Sequence, residues 1–174
     1  MDKEKSENIK NWLRRYQEAA RDSEALDSRV ANARAKAEAA RTSHFDGMPH
    51  GSGFAGDTLG AALARIGELE QEAQEARAHA VALYGEIDAA IKGISGPGWP
   101  DMRAVLQMRY LDGCRWIEIA ELLFGQQDDY EERADSFLRR VHKIHGAALA
   151  ALAEFVPLDG GQENKTGENR NGHF

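Results

Sequence analysis

Small or apolar side chains recur alternately four and three residues apart through the first half of the chain, and this spacing restricts it to long paired helices. The first run is Trp12, Tyr16, Ala19, Ser23, Leu26, Val30, Ala33, Ala37, Ala40. After a break the same spacing returns in Leu59, Ala62, Ile66, Leu69, Ala73, Ala76, Ala80, Leu83, Ile87, Ala90, Ile94, without a polar interruption. Such a stripe stays on one helix face and forms a heptad seam. Taking Glu4 to Thr42 and Asp57 to Ile94 as the helices, each spans roughly 57 Å at about 1.5 Å per residue. Matched lengths predict an antiparallel hairpin. The alanines let the two axes approach closely, but they also leave a thin core, so the hairpin is expected to lean on a second copy or on the rest of the chain.

The connector, Ser43 to Gly56, reads SHFDGMPHGSGFAG, with glycines and a proline that end one helix before the next begins. It is longer than a tight reversal needs, and loops of this length are more often functional or disordered. Two readings stand: a binding tip presenting Met48, Pro49, His50 and Phe54 to a partner, or a loose reversal. A second break at Gly93 to Asp101, GISGPGWPD, marks a domain boundary.

Beyond it, Pro100 suits a first helical turn and Gly113 a helix stop, so Pro100 to Asp112 is predicted as one helix. Arg115 to Leu123 is predicted as a second, burying Ile119, Leu122 and Leu123. A third runs from about Asp135 to Phe155. On its wheel, Phe137, Leu138, Val141, Ile144, His145 and Ala148 face inward, while Ser136, Arg139, Lys143 and Gly146 face outward. The expected organisation is all-α: a hairpin over residues 1–94 with its loop at 43–56, a linker at 95–100, three helices over 101–156, and a disordered polar tail at 157–174.

Charge narrows the function. The chain carries 29 acidic and 22 basic side chains, a net charge of −7, so any contact with nucleic acid needs a local basic face. The string RRVHKIH, Arg139 to His145, supplies one without an acid. Outward Arg and Lys suit phosphates and guanine edges, and small or neutral residues suit close backbone approach. The competing reading is a solvated cationic face on an ordinary helical bundle. The single cysteine, Cys114, fits a reducing compartment, and neither a signal peptide nor an apolar span is evident, so a cytoplasmic protein without membrane contact is expected.

VLQMRYLDGCRWIEIAELLFG followed by FLRRVHKIHGAALAAL resembles the helix-turn-helix of sigma-70 region 4. From Trp12 to Phe155 the chain is similar to a phage and prophage family that joins a coiled-coil half and a GMPHGSG loop to that module. This group is often described as similar to the ArpU and RinA late-transcription regulators. The resemblance implies a DNA-binding transcription regulator in the cytoplasm of a bacterial host. Ser136, Arg139, Arg140, His142 and Lys143 would enter or flank the major groove, and Arg115 and Arg133 would touch phosphates. The hairpin would drive self-association or dock on host RNA polymerase.

Two features depart from that module. Arg115 stands where a Ser or Thr often caps the second helix, which predicts a weaker helix start. FGQQDDYEERADS also separates Leu123 from Phe137 where a few residues usually suffice, and its acids would repel phosphate if they faced DNA. No enzyme, cofactor or metal site is expected: His142 and His145 lack further ligands at a metal interval, GSGFAG lacks the strand and lysine of a phosphate loop, and DDYEE lacks EF-hand spacing. Two rivals to the regulator are a small terminase-like packaging protein, which would form rings, and an interaction protein that binds a host factor through hairpin and loop.

Overall fold

The computed structural model describes the backbone at residues 3–43, 55–154 and 156, and the side chains at 3–40, 60–154 and 156. The four loop residues Met48, Pro49, His50 and Phe54, and the tail from 157 onward, lie outside the described residues. All elements are helical: α1 (Lys3–Ser43), α2 (Ala55–Gly93), α3 (Trp99–Leu106) continued by a π-helical turn (Gln107–Leu111), α4 (Trp116–Phe124) and α5 (Tyr130–Leu152). No strand occurs among the described residues, and no helix there is long and apolar enough to cross a membrane.

The α1 sequence contains neither Gly nor Pro, so nothing interrupts its hydrogen-bond ladder. Its cross-contacts with α2 run in reverse order along the two helices: Arg34 with Glu70 at 2.7 Å, Asp27 with Arg77 at 3.5 Å, Tyr16 edge-on to Tyr84, and the Trp12 indole N–H donating to Glu86 at 3.1 Å. The two helices are therefore antiparallel. Exposed ion pairs of this kind contribute about 0–1 kcal/mol each, so the seam does most of the holding. It is thin along the shaft, where Val30, Leu69 and Ala73 form one small cluster and Ala19, Ala80 and Leu83 another.

The shaft thickens at its base. Ile9, Leu13, Ile87, Ile91 and Ile94 pack into a single core with Leu106, Tyr110, Leu111, Ala148, Leu149, Leu152 and Val156. Ile9 extends the stripe by one step before its expected opening at the half-buried Trp12 and Tyr16, whereas Leu13 falls outside it. The reason is that the base of α1 has neighbours on two sides, α2 and the C-terminal helices, so a second row of side chains is covered. The expected linker also takes part in packing. The Arg103 guanidinium donates twice to the Ile94 carbonyl, at 3.0 and 2.6 Å, closing the end of α2 while stacking on Trp99.

Three local expectations need correction. The third helix starts at Tyr130, five residues earlier than expected, and takes up much of the acidic stretch. Glu131 and Glu132 sit in its first turn, where the free N–H groups favour negative charge, and Tyr130 stacks on Phe137. The backbone leaves helical geometry once, at Arg133 (φ −120°, ψ 18°). Leu122 is 67% exposed; α4 closes instead through Phe124, stacked on Phe137 with ring centroids 5.2 Å apart. The start of α4 is also better held than Arg115 suggested: the Glu118 carboxylate accepts from the Arg115 backbone N–H at 2.7 Å and from its guanidinium at 2.8 Å. An acid at the third helical position thus supplies the reciprocal half of a capping box, holding the Arg115 N–H rather than the first-turn N–H groups that a hydroxyl would cap.

Candidate functional site

The outer face of α5 is fixed from behind. Phe137, Val141, His145, Ala148 and Leu149 are buried, which locks the helix rotation, and Val141 and Phe137 share a core with Val105, Ile119, Ala120 and Phe124. Arg139 and Lys143, one turn apart, are left exposed. Among the described residues neither has an ion-pair partner. Arg140 lies over the Phe124 ring at 4.7 Å, which steadies its guanidinium beside them. His142 is exposed and tilts against Trp116 at 4.7 Å, while Ser136 is half-buried.

Arg139, Arg140, His142 and Lys143 therefore come together on one stretch of α5. Arg115 and Arg133 are elsewhere and already engaged. Arg115, 81% exposed, is bound by Glu118 at 2.7 Å, and Arg133 is paired with Asp129 while lying over Phe137. Either would exchange a carboxylate for any phosphate it met. Asp135 is exposed and stands one turn before Arg139, so the cationic stretch begins beside a carboxylate.

Pattern reading places His145 against the core but leaves its partners unseen. The ring is 8% exposed, shares a hydrogen bond of 3.0 Å with the Tyr110 hydroxyl, and meets the edge of Trp116. Burial is the main reason that its pKa falls from 6.5 to about 4, with Lys10, His142, Arg109 and Arg14 adding repulsion. The ring is therefore neutral at pH 7. As pH falls, the unfolded chain takes up this proton before the folded one. The stabilisation is complete above about pH 6.5 and is lost progressively toward pH 4. One pKa unit corresponds to about 1.4 kcal/mol, and partial screening leaves a loss of about 2 kcal/mol. Urea unfolding at pH 7 and pH 4.5 should show this loss in the parent chain and less of it in His145→Gln.

The same neighbourhood contains side chains that the sequence reading did not single out. The π-helical turn orients Arg109 and Tyr110, and the Gln17 amide donates to the Arg109 carbonyl at 2.8 Å, tying α1 to that turn. Lys10, Arg14 and Gln17 recur four and three apart, the seam spacing displaced by a few positions. That repeat was the available signal. Among the described residues no group of three His, Cys, Asp or Glu side chains is placed to hold a metal ion.

Compared with protein-family models, with curated proteins and with solved structures, the chain gives no match.

Proposed function

We propose that this chain is a sequence-specific DNA-binding transcription regulator of the phage type, reading double-stranded DNA with the outer face of α5. In this reading α3, α4 and α5 form a helix-turn-helix, with α5 as the recognition helix. The observation that carries it is the pair Arg139 and Lys143, exposed one turn apart on a helix whose rotation is fixed by Phe137, Val141 and His145. The sequence resemblance to sigma-70 region 4 and to the ArpU- and RinA-like regulators supports the same assignment. The α1–α2 hairpin is the self-association or RNA polymerase surface of this proposal. Exposed Leu63, Val81 and Tyr84 on α2 support that role.

Gly146 offers an independent check. It is exposed on the same side of α5, and a methyl group added there would meet nothing within 4 Å. Gly146→Ala should raise stability by about 0.8–1 kcal/mol through helix propensity. DNA affinity should fall if a backbone approaches that point. A variant that is more stable and binds equally well would remove Gly146 from the interface.

The proposal is tested by binding to DNA fragments flanking the chain's own gene, with non-cognate DNA as competitor. Selective retention of one fragment supports it, and no retention at low salt refutes it. Native mass separates the packaging alternative, which requires a ring of many copies.

A further inference from the structure

We infer that the cleft between the base of α1, the π-helical turn and α5 binds a phosphate group. This site draws its cations from α1 and the π-helical turn and shares only His142 with the outer face of α5, so it does not depend on that face reading DNA. The cleft has a volume of about 300 Å³ and is lined by Lys10, Arg14, Gln17, Arg109, Trp116 and His142, with Tyr110 and His145 at its floor. Three permanent cations from two elements thus converge on one concavity, and no carboxylate lines it among the described residues.

The hydrogen bonds leave that charge largely uncompensated. Arg14 donates to the Asn11 side-chain oxygen at 3.0 Å, and Arg109 donates to the Cys114 carbonyl at 2.9 Å. Both partners are neutral. Lys10 alone holds a carboxylate, Glu7 at 2.7 Å, on the exposed surface of α1. The guanidinium of Arg109 is further fixed over the Trp116 ring at 4.8 Å, and the Gln17 amide holds the Arg109 carbonyl. One guanidinium is therefore preorganised, and a second, held only by the neutral Asn11 side chain, can complete a fork around an anion. The neutral His145 beneath them agrees with a positive local potential.

Phosphate is the ligand class that this donor set recognises, because several N–H donors on planar guanidiniums suit its tetrahedral oxygens. It has two sources: a free phosphate or phosphorylated small molecule, and the backbone of nucleic acid. The test is a titration of the isotope-labelled full chain with inorganic phosphate, and separately with a DNA duplex, followed through the side-chain resonances of Arg109, Trp116 and His142. Lys10→Gln combined with Arg14→Gln serves as the variant, since both side chains bond only within one turn of α1; its melting curve checks that it folds.

Saturable shifts with inorganic phosphate that weaken at least tenfold in the variant, while duplex affinity is unchanged, support a free-phosphate site. Duplex-induced shifts that weaken at least tenfold in the variant, without a response to inorganic phosphate, support a backbone site. Weakening of both titrations supports a site open to either source. No shift with either probe overturns the inference, as do shifts that a folded variant leaves unaltered.

Discussion

Truncating Ile91 to alanine should destabilise the base of the α1–α2 pair and the C-terminal helices together, by about 2–5 kcal/mol. Ile91 is 1% exposed and sits in the core that joins Ile9 and Leu13 of α1 with Leu106, Leu149 and Leu152 of the C-terminal half. Removing its outer carbons takes away burial energy and leaves a cavity that only partly collapses. Because the cluster joins α1 and α2 to the C-terminal helices, the loss should appear in both. Amide exchange at Leu13 and at Leu149 should accelerate by similar factors. Gln74→Ala, at an exposed site on the same helix outside the proposed association surface, is the control and should change stability by no more than about 0.5 kcal/mol. Exchange that accelerates in α1 and α2 alone would show that the two halves are held separately.

Replacing Arg139 and Lys143 together by alanine should remove about 2–6 kcal/mol of specific DNA binding, a loss of at least thirtyfold. Both side chains are exposed and lack ion-pair partners among the described residues, so the fold should keep its melting temperature within a few degrees. The magnitude depends on role. An arginine on a base edge contributes about 1–3 kcal/mol and sequence preference, whereas a phosphate contact weakens all sequences alike and changes the salt slope by about one. Comparing the single variants on cognate and non-cognate duplexes separates these roles. Undiminished affinity in the folded double variant would show that the binding face lies elsewhere.

Much of the fold was legible because its strongest signals are local. The spacing from Ala19 to Ala37 and from Ile66 to Ile94 predicts both long helices, and Gly113, with φ at +74°, is the stop that the sequence suggests. What was not legible depends on partners distant in sequence. Nothing near Leu13 marks it as more buried than Trp12; part of its cover comes from Leu106, Leu149 and Leu152 in the C-terminal half. The π-helical turn is hidden likewise, since its register is set by burying Tyr110 and Leu111 against α1. Leu122 is exposed and Phe124, one residue beyond the expected helix end, is buried, because α4 is too short for periodicity to decide which residue meets Phe137.

The candidate site divides along the same line. Arg139 and Lys143 could be placed outward from the wheel of α5 alone. The engagement of Arg133 with Asp129 depends on the helix starting at Tyr130, which the acidic composition concealed. Glu118, three residues beyond Arg115, was a readable capping signal, and it accounts for a helix start that Arg115 by itself does not.

The central claim is best tested by measuring affinity for a cognate duplex across a range of salt concentrations, with non-cognate DNA as competitor. An α5 interface of three to five cations predicts selective binding that weakens with a log–log slope of about −2.7 to −4.5, at about 0.9 per phosphate contact. No binding at low salt, or equal affinity for every sequence, would contradict the account.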